Sequence, residues 1–141
     1  MPIERKNIFP DKTDVRKTKD GRILYSQVVT VSGADKHVFV AGQIARDIDG
    51  KTVGRGDMAA QIVQVGENIK ACLEAAGATL DDVVKTTTYV TDIEEYFKYP
   101  DERLRYFSKA APTSTTIEVS RLASPDFMVE VEAYALVRSG A

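Results

Sequence analysis

The chain has 141 residues, a length that fits one domain built around a single hydrophobic core. Lysine and arginine number 19 against 21 aspartates and glutamates, so the formal net charge is −2, without the basic excess typical of nucleic-acid binding. One histidine and one cysteine are too few for a disulfide framework or for a metal site built from soft ligands, so we expect no metal.

The N-terminal region and the apolar segments indicate a cellular location. The chain is charged from Glu4 onward and shows no apolar run of the signal-peptide type. No segment approaches the roughly 20 apolar residues that cross a bilayer, and an unpaired Cys72 suits a reducing compartment. We therefore expect a cytoplasmic protein that does not associate with membranes.

The first third of the chain predicts a polar segment followed by two strands. Residues 1–22 are polar, contain turn-forming residues and are expected to be irregular. Tyr25 to Val31 is rich in β-forming residues, and His37 to Ala41 is a short apolar strand that ends at Gly42.

The segment from Asp57 to Ala76 has the period of an amphipathic helix. Its apolar residues recur three and four positions apart, at Met58, Ile62, Val65, Ile69, Cys72, Leu73 and Ala76. Asp57 is suited to the N-cap and Gly77 to the position after the C-cap. Cys72 lies on the apolar stripe, so we expect it to be a core residue rather than a nucleophile.

The next segments predict a strand and two short helices. Val83 to Thr91 is β-branched and aromatic, which favours a strand. Asp92 and Glu95 have nearly the spacing of a capping box and open a helical turn. Proline is tolerated at the first position of a helix, so a further helix is expected from Pro100 to about Ser108.

Two consecutive strands end the chain, and the last one carries two carboxylates. Side chains alternate along a strand, so one face is apolar and comprises Phe127, Val129, Val131, Ala133, Ala135 and Val137. The opposite face is mixed and includes Glu130 and Glu132. A half-buried carboxylate is costly unless it is paired or put to use, which makes these glutamates candidate functional residues.

The element order β-β-α-β-α-β-β predicts a single α+β domain over residues 1–141. We expect one mixed sheet with two helices packed on one face. The other face carries methionine, tyrosine and leucine and needs to be covered, for which oligomerisation is the simplest solution.

These segments, in their order and spacing, resemble the RidA family of reactive intermediate deaminases, also described as endoribonuclease L-PSP-like. The resemblance runs from about Tyr25 to Val137 and is carried by Phe39-Val-Ala-Gly-Gln43, Val84-Lys-Thr-Thr, Ile117-Glu-Val-Ser-Arg-Leu122 and Val129-Glu-Val-Glu-Ala133. It implies a chorismate-mutase-like fold and a homotrimer around a central barrel, with small-molecule clefts between adjacent subunits. It also implies a hydrolase that converts enamines or imines to a carbonyl compound and ammonia without a cofactor.

The resemblance implies a catalytic glutamate and a set of ligand contacts. Glu130 falls at the position of the glutamate that orients or activates water. The substrate-binding positions, or positions directly beside them, are occupied by Tyr25, Ala41, Gly42, Ser114, Thr115 and Thr116. Ser114 stands where the family carries an arginine that pairs with the substrate carboxylate. Arg46 is the first candidate to replace that arginine.

The missing arginine leaves three functions open. A bidentate arginine–carboxylate contact contributes about 3–5 kcal/mol, whereas a serine hydroxyl contributes about 1 kcal/mol. The first possible function is therefore a deaminase with an altered substrate preference. The second is a non-catalytic metabolite-binding or regulatory protein on the same scaffold. The third is a ribonuclease or translation inhibitor, against which the acidic charge balance argues. For Glu130 itself, an ordinary interface carboxylate is the alternative to a catalytic role.

Overall fold

The computed structural model describes residues 2–140 and has the α+β architecture that the sequence predicts. In chain order the elements are β1 (Glu4–Ile8), β2 (Val28–Ser32), β3 (Lys36–Gln43), α1 (Met58–Ala75), a 3-10 turn (Leu80–Asp82), β4 (Val83–Val90), α2 (Ile93–Tyr96), α3 (Pro100–Phe107), β5 (Thr113–Glu118) and β6 (Val129–Val137). No helix within residues 2–140 is long and apolar enough to cross a membrane.

The main sheet is mixed and four-stranded, in the order β3-β6-β4-β5. β6 runs antiparallel to both β3 and β4, whereas β4 and β5 are parallel. A parallel pair requires a crossover connection, and α2 and α3 supply it. β1 and β2 form a separate antiparallel ribbon.

The core lies between the apolar face of β6 and helix α1. Val129, Val131, Ala133, Ala135 and Val137 are all buried, which confirms the alternation predicted for the last strand. On the opposite face of the sheet, here called the open face, none of the helices within residues 2–140 packs, and Phe39 is 78% exposed.

Helix α1 has the predicted boundaries and cap. The Asp57 side chain accepts a hydrogen bond from the Ala60 amide at 3.1 Å, and Gly77 follows the helix with φ +78°. One prediction is wrong: Cys72 is exposed rather than part of the core. At 100° per residue it lies on the edge of the buried stripe, and its neighbour Leu73 takes the core position.

The N-terminal segment differs from the sequence expectation. Residues 1–22 were expected to be irregular, but Glu4–Ile8 forms a strand that pairs with β2, and two of its polar side chains anchor it to the carbonyl of Ala110. Arg5 Nη2 donates to this oxygen at 2.6 Å and Asn7 Nδ2 donates to it at 2.9 Å. Strands stabilised in this way lack the apolar alternation by which a strand is recognised in sequence.

The first predicted strand also begins later than expected, at Val28 instead of Tyr25. The buried Ser26 amide donates to the carbonyls of Ala111 and Pro112, each at 3.2 Å. These bonds hold residues 25–27 against the loop ahead of β5, outside the ribbon. Tyr25 is thereby placed beside β5.

Candidate functional site

A cavity of about 340 Å³ opens on the helix side of the sheet. It lies between the loop ahead of β2, helices α2 and α3, and strand β5, and it is lined by Arg16, Leu24, Tyr25, Tyr96, Phe97, Tyr99, Pro100, Arg103, Ser114 and Thr116. The structure thus brings together three of the residues that the sequence proposed for ligand binding, Tyr25, Ser114 and Thr116. We refer to this cavity as the α3 pocket.

The register of β5 explains which hydroxyls enter the α3 pocket. Ser114 lies opposite Thr86 on β4, and Thr116 lies opposite Thr88. Both β4 threonines are fully buried on the helix side of the sheet. Thr115, one residue out of phase, is exposed on the open face and does not line the pocket.

Helix α3 contributes a buried cation that the sequence analysis missed. Arg103 is 8% exposed, and its guanidinium carbon lies 5.3 Å from the centroid of the Phe107 ring. Its Nη2 donates to Thr86 Oγ1 at 3.5 Å, a long bond. No carboxylate within residues 2–140 forms an ion pair with it. The sequence did carry one signal of this burial, because the spacing of Arg103, Leu104 and Phe107 places the three residues on one helical face.

Gly42 and Glu130 meet on the open face of the sheet. A Cβ atom added at Gly42 would lie 2.1 Å from Glu130 Oε2, so only glycine allows this approach. Glu130 is half-buried, and its carboxylate has no ion pair or hydrogen bond within the part of the chain that the structure describes. Ala41 is exposed and lines a shallow hollow on the same face, together with Phe39 and Glu132.

The second glutamate of β6 is engaged by a tyrosine. Tyr89 Oη donates to Glu132 Oε1 at 2.9 Å. This hydrogen bond raises the pKa of Tyr89, as do partial desolvation and the negative charges of Glu132 and Glu130. Glu132 thus has a bonding partner within its own chain, and Glu130 is the carboxylate left available.

Arg46, the sequence candidate for the missing arginine, lies elsewhere. Its guanidinium carbon is 5.1 Å from the centroid of the Phe127 ring, and it does not line the α3 pocket. The candidate residues therefore form two groups on opposite faces of the sheet. Tyr25, Ser114 and Thr116 are on the helix side, and Ala41, Gly42, Thr115 and Glu130 are on the open face. One chain alone does not bring the two groups together.

The family of this chain is shown by its relatives. Residues 20–137 match the family described as endoribonuclease L-PSP. A RutC family protein of Pyrococcus abyssi is 42% identical over 111 residues, which cover 79% of this chain and 84% of that protein. The fold and the sequence both define a protein of the RidA type, and the chain belongs to the endoribonuclease L-PSP family.

Solved structures agree with this assignment. A Rid family protein of unknown function from Yersinia pestis, YyfB, has a TM-score of 0.80 at 30% identity, covering 94% of this chain and 98% of that chain. A putative endoribonuclease from Thermotoga maritima has a TM-score of 0.66 at 37% identity, covering 82% and 87% of the two chains. The resemblance identified in the sequence is thereby confirmed at the level of family and fold.

Proposed function

We propose that the protein hydrolyses an enamine or imine to a carbonyl compound and ammonia, in a cleft between adjacent subunits of a homotrimer. The observation that carries this proposal is the division of the candidate residues between the two faces of the sheet. A residue pair on opposite faces cannot act on one ligand within one chain. A second copy that packs its open face near the α3 pocket of the first would bring both groups to one cleft.

The chemistry requires few groups, because an imine already reacts with water. Glu130 accepts a proton from a water molecule whose oxygen adds to the carbon of the C=N bond. The nitrogen of the resulting carbinolamine takes up the proton from Glu130 and then the proton of the carbinolamine hydroxyl, the C–N bond breaks, and ammonia leaves as the C=O bond forms. A carboxylate without an internal ion pair or hydrogen bond, such as that of Glu130, is free to hold this water.

The substrate preference differs from that of relatives that carry an arginine at the position of Ser114. A serine hydroxyl donates one hydrogen bond and carries no charge, whereas a guanidinium binds a carboxylate through two parallel bonds. The substrate therefore binds in a different orientation. The hydroxyls of Ser114 and Thr116 suit a polar group of the ligand at this end of the α3 pocket.

The test is ammonia release from imines generated freshly from a panel of amino acids by an amino-acid oxidase. We expect the wild-type protein to accelerate ammonia release on part of the panel. Glu130→Gln keeps the size of the side chain but removes the base, so we expect turnover to fall by about 10²–10⁴-fold. Matched Glu132→Gln, whose carboxylate is occupied by Tyr89, is expected to lose less than about tenfold.

Two outcomes contradict parts of this proposal. If wild type and Glu130→Gln are equally inert on the whole panel, the enzymatic function is wrong. A protein that binds a metabolite without turnover would then correspond to the non-catalytic alternative. If Glu130→Gln and Glu132→Gln lose the same activity, the role given to Glu130 is wrong.

A further inference from the structure

The strongest unexplained feature of the molecule is the charge of Arg103. A guanidinium is protonated at every physiological pH, and burying it without an anion costs much of its hydration. Arg103 is 8% exposed, yet the described residues supply only a ring face and one long hydrogen bond. Neither partner carries a negative charge. Arg103 is one of the residues that line the α3 pocket, so its side chain can contact an anion bound there.

Two other arginines of the chain show the usual environment of this side chain. Arg22 is exposed and pairs with Asp20 and Asp101, and Arg55 pairs with Asp126 across 3.2 Å. Arg103 is the opposite case, a buried arginine that has no such pair among the described residues. Because proteins rarely retain a buried charge without compensation, the position indicates an anion that arrives from outside the chain.

We propose that Arg103 binds the carboxylate of the substrate, and that the substrate is an imino acid or enamine acid with an aromatic or bulky apolar side chain. This inference rests on the proposed function, whose substrate class it narrows. It assigns the anchoring role to α3 instead of to the position of Ser114 on β5. The anchor is therefore present in the α3 pocket, on a different element.

The charge balance favours a carboxylate over a phosphate. One guanidinium neutralises one negative charge and can hold a carboxylate through two parallel hydrogen bonds. Ser114 and Thr116, which line the same pocket, can donate to its remaining oxygen lone pairs. A phosphate dianion would need a second buried cation, and the other arginine of the lining, Arg16, is exposed and pairs with Asp14 at 3.1 Å.

The size and walls of the pocket define the rest of the ligand. Four aromatic side chains surround it, namely those of Tyr25, Tyr96, Phe97 and Tyr99. Its volume of about 340 Å³ lies near the lower end of the roughly 300–1,000 Å³ found for small-molecule sites. Aromatic walls bind a flat apolar group by stacking and edge contacts. A ligand that offers only a carboxylate and a methyl group would leave these rings unused.

Binding of a stable product analogue tests the inference without requiring turnover. We would titrate phenylpyruvate, its uncharged methyl ester, pyruvate and inorganic phosphate into the wild-type protein by calorimetry. We expect phenylpyruvate to bind at least about tenfold more tightly than the ester, because only the acid pairs with the guanidinium. It should also bind more tightly than pyruvate, which lacks the ring, and more tightly than phosphate.

The matched variants are Arg103→Gln and Arg105→Gln. Arg105 is on the same helix but is exposed, beside the Tyr106 ring and outside the pocket lining. We expect Arg103→Gln to weaken phenylpyruvate binding by at least about tenfold and to leave the ester unaffected. Arg105→Gln should change neither ligand by more than about twofold. Without ligand, Arg103→Gln should keep its melting temperature, since it removes an uncompensated buried charge.

Several results would overturn the inference. The first is that the wild-type protein binds the acid and the ester equally, or binds neither. The second is that phosphate binds more tightly than phenylpyruvate, and the third is that pyruvate binds as tightly as phenylpyruvate. A purely structural role would lower the melting temperature of Arg103→Gln and weaken acid and ester alike. If Arg103→Gln binds phenylpyruvate as the wild-type protein does, and imine hydrolysis persists, the role given to Arg103 is wrong and the proposed function stands. If the acid binds through Arg103 but no imine is hydrolysed, the proposed function fails and the anchor stands.

Discussion

Gly42 controls the position of the glutamate to which we assign the chemistry. The three atoms closest to a Cβ at this position all belong to the Glu130 side chain, at 2.1, 2.9 and 3.1 Å. No backbone atom is among them. A methyl group at residue 42 would therefore displace a flexible carboxylate and leave the strand unchanged. We infer that the glycine serves the placement of Glu130 rather than the stability of the fold.

The corresponding prediction concerns Gly42→Ala. We expect turnover to fall by about 10–100-fold because the Glu130 carboxylate is moved from the reacting water. The free energy of unfolding should change by less than about 1 kcal/mol, since only a flexible side chain must move. Ammonia release and urea unfolding measure the two effects separately.

A double variant shows whether Gly42 acts through Glu130. If it does, Gly42→Ala combined with Glu130→Gln should be no less active than Glu130→Gln alone. Fully additive losses would mean that the two residues act independently, and the contact between them would then have no catalytic meaning.

At the scale of elements, the packing of α1 against α3 fixes the wall that carries Arg103. Gly66 on α1 faces the ring of Tyr106, and a Cβ atom at this position would lie 2.5 Å from two ring carbons. Tyr106 is itself buried, so the ring has little room to move away. A larger residue at position 66 would push α3 outward, and Arg103 with it.

We therefore predict that Gly66→Ala destabilises the protein although alanine is the better helix former. Overpacking costs about 1–3 kcal/mol, which outweighs the gain of about 1 kcal/mol from helix propensity. Urea unfolding should show a net loss of up to about 2 kcal/mol, and phenylpyruvate binding should weaken as Arg103 shifts. Adding Tyr106→Leu should recover part of the stability. A more stable Gly66→Ala protein would contradict the tight packing of α1 on α3.

The elements differ in how far the sequence predicted them, for physical reasons. Helix α1 and strand β6 carry their own periodic pattern, so their limits and buried faces could be derived locally. Strand β1 depends on hydrogen bonds from Arg5 and Asn7 to a carbonyl more than 100 residues away in sequence, which no local pattern records. Contacts of this kind, between residues far apart in sequence, determine the position of each element that the sequence analysis missed.

The same distinction applies to the candidate site. Gly42, Glu130 and Ser114 could be chosen from residue type and from the family resemblance. Their distribution over the two faces of the sheet could not be predicted, because it depends on the strand order and on the parallel pairing of β5 with β4. The burial of Arg103 is only partly visible in the sequence: its spacing places it on one helical face with Leu104 and Phe107, but the packing of α3 on α1 and the contact with Thr86 are tertiary.

At the scale of the whole molecule, the open face of the sheet is unsuited to water. The Phe39 ring is 78% exposed and lies 4.7 Å, centroid to centroid, from the ring of Tyr134, beside His37. Exposed aromatic patches of this kind mark interaction surfaces. A homotrimer that covers this face would also bring Glu130 of one copy toward the α3 pocket of another.

Mixing inactive subunits gives a direct test of such a shared cleft. Ser114→Phe fills the α3 pocket with a ring, and Glu130→Gln removes the base on the other face, so each variant alone should be inactive. If the cleft takes its pocket from one subunit and its glutamate from the next, subunits mixed in equal amounts restore about one cleft in four. We therefore expect about a quarter of wild-type ammonia release after the two variants are unfolded and refolded together.

The same mixture distinguishes a shared cleft from a site within one chain. Every chain in the mixture carries one of the two defects, so a site contained in a single chain would never be repaired. Restored activity requires Glu130 from one copy and the α3 pocket from another, and it should disappear when the variants are refolded separately and mixed without unfolding. A co-refolded mixture that forms trimers but stays inactive would show that the two faces do not share a ligand, because assembly alone would then have failed to complete the site.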